Sequence, residues 1–233
     1  MFSANLFLKR CIDIVCCSFA LIILLPFLLI IGIAIKIDSK GPVLFVQKRR
    51  TKNGCIFNMY KFRTMVVNAE SMGAGLFNYK DDPRVTKVGR ILRNTSIDEL
   101  PQLWNVIKGD LSIVGPRPSV VYELGEFETL NKKYKKRFEF RGGITGLAQI
   151  EGRNENNWDE KVSFDNQYID EFKKQGIWLD IKIILGTVIK VFKRQDIFEE
   201  KEDESLSDAE AAKMAEEEII RIAHLPDEEI INN

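Results

Sequence analysis

Apolar positions open this chain without a period: Ile14 to Ile35 is a run of 22 residues carrying no charge, long enough for a helix to cross a bilayer. Pro26 stands in the middle of the run, where a proline removes an amide donor and clashes with the preceding turn. Basic residues flank both ends, Lys9 and Arg10 before it and Lys36, Lys40, Lys48, Arg49, Arg50 and Lys52 after it. The positive-inside bias keeps both ends on one side of a membrane. The pattern therefore favours a re-entrant helix hairpin broken at Pro26, whose freed backbone groups need partners at membrane depth. A straight span with a mild proline kink is the alternative. A cleavable signal peptide fits less well, since Lys36-Ile37-Asp38 follows the run where small residues would be needed.

Beyond Gly41-Pro42 the pattern shortens. Val43–Val46 reads as a strand, Asn53-Gly54 as a hairpin turn, and Ile56–Tyr60 as the partner strand. Lys61-Phe62-Arg63 alternates cation and aromatic, which on a strand puts both cations on one face. Residues 68–81 read as a loop and Val85–Leu92 as a short helix. Thr95-Ser96 offers an N-cap for a helix through Lys108, with Asp98 and Glu99 in its first turn and Pro101 tolerated there. Leu111–Val114 predicts a strand entering Gly115-Pro116-Arg117-Pro118. Residues 119–138 read as one charged helix, and Gly142–Gly146 as a glycine loop. Trp158–Phe172 and Ile177–Arg194 predict two more helices. On the second, Ile181, Ile184, Leu185, Val188, Val191 and Phe192 share a face opposite Lys182, Lys190, Lys193 and Arg194. That face suits the protein core or an anionic membrane surface, with the core favoured. Ser207 and Glu210 make a capping box before a helix with Ala212, Ala215, Ile219 and Ile222 in register.

Charge redraws this picture. The formal net charge of zero hides 13 acidic against 3 basic residues from Glu199 onward, and 31 basic against 21 acidic before it. A basic body thus carries an acidic tail, which suits docking on that body or on a partner subunit. The 4 cysteines match no disulfide or zinc spacing, and a single histidine (His224) excludes histidine-based catalysis. The chemistry concentrates between Asp82 and Pro118, where Arg84, Arg90, Arg93 and Arg117 surround the adjacent pair Asp98-Glu99. Arginine forks match phosphate oxygens bidentately. A carboxylate among cations stays ionised and serves as nucleophile or metal ligand. Acids in a helix's first turn also have a plain structural use against the dipole.

These motifs, taken together, resemble the bacterial monotopic phosphoglycosyl transferases. KFRTM (61–65), DPRVTKVGR (82–90), SIDELPQLWNVIKGDLSIVGPRP (96–118), GITGLAQIEGR (143–153) and DIKIILGTVIKVF (180–192) follow in that family's order, from about Leu6 to Arg194. The resemblance implies transfer of a phospho-sugar from a UDP-sugar to undecaprenyl phosphate, with release of UMP and with magnesium (Mg2+). This would be the first membrane step of glycan assembly, at the cytoplasmic face of the bacterial inner membrane. It implies Asp98 as the nucleophile forming a covalent phosphosugar intermediate and as the metal ligand, with Glu99 as neighbouring acid/base or as holder of the dyad's geometry. Arg117, Arg93, Lys61, Arg63 and Arg84 would bind substrate phosphate. Leu25, Thr51 and Gly142 depart from the family pattern of serine, glycine and proline.

The expected fold is α+β: a re-entrant membrane helix (1–38), a small, mostly helical catalytic domain with a short β-hairpin (39–198), and an acidic linker with a helical tail (199–233). The tail would contact a second copy or a downstream glycosyltransferase. Two other readings are an inactive scaffold recruiting glycan-assembly enzymes and a ternary-complex transferase on a spanning helix. Nucleic-acid binding is disfavoured by the apolar run and by the lack of interleaved stacking aromatics.

Overall fold

A computed structural model describes residues 2–72, 82–151, 157–193 and 208–227. The apolar run forms one helix, α1 (Phe2–Asp38), with Pro26 inside it. The expected break is not a break in helical structure. A proline forfeits one ladder hydrogen bond and bends a helix without having to end it. Most of the middle of α1 is bare: Val15, Phe19, Ile22, Ile23, Leu29 and Ile30 are exposed.

Both ends of α1 are nevertheless fastened to the rest of the chain. Near its start Lys9 Nζ donates to Asp180 Oδ2 at 2.6 Å, and the Ser112 hydroxyl donates to Asp13 at 2.6 Å. Arg10 donates to the carbonyls of Val106 and Ile107 at 2.7 and 3.0 Å. Those carbonyls close helix α3 (Gln102–Lys108), where a cation satisfies orphan acceptors and the dipole. At the far end Ile31 and Ile35 pack with Phe62 and Leu92. There the Val88 amide, in the first turn of α2 (Lys87–Asn94), donates to Asp38 at 2.9 Å.

Strands β1 (Leu44–Arg50) and β2 (Ile56–Phe62) form the expected hairpin, antiparallel from Leu44↔Phe62 to Arg50↔Ile56. The connection between the strands, residues 51–55, places Asn53 at φ 56 and Gly54 at φ 74, left-handed positions that asparagine and glycine tolerate best. Strand β4 (Ser119–Val120) adds to the other edge of β1. A second sheet pairs β3 (Leu111–Val114) with β5 (Gly142–Thr145) in parallel. The expected glycine loop is thus mostly a strand. Its glycines are there for close approach: a Cβ on Gly143 would lie 2.1 Å from the Gly115 amide nitrogen.

Residues 119–138 do not form one helix. Gly125 turns at φ 67, and Asn131 starts a fresh short helix α4 (Lys132–Lys136) by accepting from the Tyr134 amide at 3.0 Å. The chain then closes through α5 (Leu147–Glu151), α6 (Trp158–Gln175) and α7 (Ile177–Lys193). Among the described residues of α7 the buried apolar side chains are Leu179 and Ile183, whereas Trp178, Ile181, Leu185, Val188 and Ile189 stay exposed. Its apolar face therefore does not turn into the core, contrary to the favoured expectation. The core takes a single line of side chains against Phe140, Tyr168 and Phe172.

The tail helix α8 (Asp208–Ala223) docks on the body of its own chain. Ala223 is fully buried and Ile219 and Ile222 pack against a cluster with Leu124, Leu130 and Tyr134. Asn131 clasps the helix end, donating from its amide to Ala223 at 3.0 Å and from its side chain to Ile222 at 3.1 Å. The linker, Ser207 of the predicted capping box and residues 73–81 of the predicted loop lie outside the described residues.

Candidate active site

Asp98 and Glu99 sit on a single 3-10 turn, Ile97–Glu99, ahead of α3. Ser96 before them is left-handed at φ 54 and makes no capping bond, while the Thr95 hydroxyl turns back to the Ile91 and Leu92 carbonyls at 2.8 and 3.1 Å. The predicted N-cap is therefore absent, and the α-helix begins only after Pro101. Both carboxylates of this turn line one cleft. That cleft has a volume of about 930 Å³ and is lined by Lys61, Arg93, Asp98, Glu99 and Arg117 among others. Its size is at the upper end of small-molecule sites.

The two carboxylates have opposite surroundings. Glu99 Oε1 accepts from Lys61 Nζ at 2.7 Å and from Arg117 at 3.0 Å. Burial alone would raise it, but Lys61 and then Arg117 outweigh that and hold it well below the usual carboxylate range. Asp98 takes no hydrogen bond or ion pair from any described residue. Burial pushes it up to about 6, with the Glu99 charge adding to the rise and Lys61, Arg93 and Arg117 opposing it. Lys61 and Arg117 thus spend their hydrogen bonds on Glu99. Asp98 is left as an ionisable, unclaimed carboxylate.

The predicted cations divide in the same way. Lys61 on β2, Arg93 at the end of α2 and Arg117 line the cleft beside the pair. Arg93 is aimed by its Nε bond to the Thr64 hydroxyl at 2.8 Å. That requires α2 to lie against the 64 backbone, where a Cβ on Gly89 would meet the Thr64 carbonyl oxygen at 2.0 Å. Arg63 borders the cleft, but its guanidinium is turned to the end of α1, donating to the Lys40 and Ser39 carbonyls at 2.7 Å each. Arg84 is not brought to the cleft. It is buried against Asp82, with Nη2 donating to Oδ2 at 2.7 Å, and Nη1 donates to the carbonyls of Ala69 and Met72 at 3.0 and 3.1 Å. Arg90 does not line the cleft either.

Sequence reasoning missed other groups in the cleft wall. Arg49 donates to the Pro118 carbonyl at 2.9 Å and from Nε to Gln47 at 2.8 Å, and burial pulls it down to about 10. Arg137 and Asp165 form a buried pair at 2.8 Å. Arg137 was hidden inside the basic run from Lys132, where only its contacts separate it from the solvated lysines. Among the described residues no three acidic, histidine or cysteine side chains gather to hold a metal ion.

A family model described as bacterial sugar transferase matches residues 4–194. A galactosyl transferase, CpsE, of Streptococcus agalactiae is 50% identical over 159 residues, covering 64% of this chain and 34% of the relative. The UDP-glucose:undecaprenyl-phosphate glucose-1-phosphate transferase of Klebsiella pneumoniae is 45% identical over 193 residues, covering 81% and 41%. The chain thus spans well under half of those two relatives. It covers 98% of an exopolysaccharide production protein, PSS, of Rhizobium leguminosarum, at 41% identity over 198 residues.

Proposed function

The chain belongs to the bacterial sugar transferase family, and on that premise we propose that it transfers a phospho-sugar from a UDP-sugar to undecaprenyl phosphate and releases UMP, opening the assembly of a glycan on a membrane. The observation that carries this reading is the unclaimed Asp98 carboxylate beside a Glu99 already neutralised by Lys61 and Arg117. A nucleophile has to be free, and its neighbour's charge must be cancelled before a diphosphate can approach.

In the proposed sequence an Asp98 oxygen attacks the phosphorus that bears the sugar. The bond from that phosphorus to the UMP oxygen breaks, and its electron pair leaves with UMP. An oxygen of undecaprenyl phosphate then attacks the same phosphorus, and the bond to Asp98 breaks, restoring the carboxylate. Arg117, Arg93 and Lys61 offset the charge that builds on the phosphoryl oxygens. Glu99 fixes Lys61 and Arg117 in place for that task. Magnesium fits a site of this kind, because it takes one or two carboxylates and completes its shell with substrate phosphate and water. Asp98 would hold it, and when bound it would reduce the negative charge between carboxylate and diphosphate.

The length and the anchoring of α1 support a re-entrant arrangement. At 37 residues it would measure about 55 Å if straight, well beyond a hydrocarbon core of about 30 Å. Lys9, Arg10 and Asp13 near its start and Asp38 at its end all contact the same catalytic body. A helix crossing with its ends on opposite faces would drag that body into the lipid. We therefore read α1 as re-entrant, bent at Pro26, with the outward apolar side of α7 on the membrane surface and the body at the cytoplasmic face of the inner membrane.

The test is UMP release by detergent-purified protein with undecaprenyl phosphate, magnesium and a panel of UDP-sugars that includes UDP-glucose and UDP-galactose. Release with one donor, dependent on the lipid phosphate, is expected for the wild type, together with a phosphosugar adduct on the peptide containing Asp98. Release without any adduct under single-turnover conditions would favour a ternary complex. No release with any donor from folded protein would overturn the assignment.

A further inference from the structure

Arg117 stands between Pro116 and Pro118, so its own amide is the one backbone donor across those three residues. Its side chain reaches Glu99 from a largely open position, 44% exposed. A flexible arginine in such a place would lose its aim unless its backbone were held. The holding groups lie behind it and are fully enclosed. Arg137 Nη2 donates to the Arg117 carbonyl at 2.7 Å and lies 2.8 Å from Asp165 Oδ2 as an ion pair. Arg137 and Asp165 are only 3% and 1% exposed. The Arg137 guanidinium is 4.9 Å from the Trp158 ring centre and 5.6 Å from that of Phe138, a stacked setting that a lysine cannot reproduce.

A buried ion pair is a weak source of stability, since desolvation consumes most of the Coulomb gain and apolar replacements are often neutral or better. Here the arginine of the pair holds the carbonyl of a single residue, and that residue's side chain holds Glu99. We propose that Arg137 and Asp165 are positioning residues for the transfer reaction, acting through the Arg117 backbone to aim its guanidinium at Glu99 and the substrate phosphates. This inference rests on the transferase reading given above.

The test is a double-mutant cycle between Arg117→Ala and Arg137→Lys, with Asp165→Asn as a second route should the lysine variant fold poorly. Arg137→Lys is expected to lower kcat/KM by about 10- to 100-fold in the wild-type background and by less than about 3-fold once Arg117 is alanine, the non-additivity of residues acting as a unit. An equal loss in both backgrounds, as a purely structural role would give, overturns the proposal. Amide hydrogen exchange across residues 112–121 supplies a readout independent of turnover. Exchange there should speed up in Arg137→Lys while α6 stays protected, and unchanged exchange also overturns the proposal. If the wild type releases no UMP but exchange still responds, the transferase reading fails while the brace on Arg117 stands as structure alone.

Discussion

The Asp82–Arg84 clasp and the Asp98–Glu99 cleft use the same residue types a short distance apart in the chain, and they end in opposite states. In the clasp the guanidinium meets both oxygens of one carboxylate, and its Nη1 donates to the Ala69 and Met72 carbonyls. Hydrogen bonds from Arg84 outweigh burial and hold Asp82 low. Both partners are buried and Arg84 does not line the cleft. In the cleft two cations converge on one oxygen of Glu99, and the adjoining Asp98 is left unclaimed. What separates a structural charge cluster from a reactive one is saturation, not the number of charges.

Removing one charge from each place puts that contrast under the largest strain. Asp98→Asn should cut turnover by about 10⁴-fold or more, the scale on which loss of a nucleophile is felt, with thermal stability kept. Asp82→Asn should do the reverse. It strands a buried Arg84 and should cost about 3–5 kcal/mol of folding free energy, while turnover per folded molecule persists. Denaturant titration and UMP release on both variants read the two effects separately. An active Asp98→Asn enzyme would falsify the assigned role.

Glu99→Gln comes next. Losing the carboxylate frees Lys61 and Arg117 from their anchor, and a drop of about 10²–10³ in kcat is expected for disturbing a preorganised electrostatic site. The tail gives a smaller and different effect. Deleting residues 208–233 uncovers Leu124, Leu130 and Tyr134, which α8 packs against. A stability loss of about 1–3 kcal/mol follows from that lost burial, with the donor preference unchanged. A truncated protein that is equally stable would mean that the docking contributes nothing.

Much of this was legible because local signals and tertiary demands agreed. The Asn53-Gly54 turn, the strand at Leu111 and helix α6 each follow from a turn residue or a periodic run that nothing overrides. The Asp98-Glu99 pair and Arg117 were also visible, as charges crowded where prolines fix the backbone. The misses share a cause, since each depended on contacts that local pattern does not reveal. Gly142 and Gly143 are strand residues because Pro118 and Gly115 press on them. Arg84 turned out to be consumed by its near neighbour Asp82 and by carbonyls whose positions a sequence does not give. Arg137 became distinct from the lysines around it only through Asp165 and Arg117. On α7 the apolar face was seen, but which side of it met the core was decided by Phe172 and Tyr168.

The gentlest probe of the comparison is pH. Asp98 is raised to about 6, so the carboxylate form needed for attack is lost as pH falls through that value, and turnover should drop about tenfold per unit below it. The sign for stability is opposite. A carboxyl whose folded pKa lies above its unfolded value binds more protons when folded, so its own contribution to stability improves as pH falls from about 6 toward 4. Glu99, held low, contributes stability that is fully present above its unfolded pKa of about 4.5 and fades below it. Between about pH 6 and 5 the enzyme should therefore lose activity without losing its fold through either residue, and circular dichroism beside UMP release would separate the two. In Glu99→Gln the like charge that lifts Asp98 is gone and Lys61 is released toward it, so the acid limb of the residual activity should move to lower pH. A limb that stays in place would mean that another group sets it, and that Asp98 does not feel Glu99 as the geometry requires.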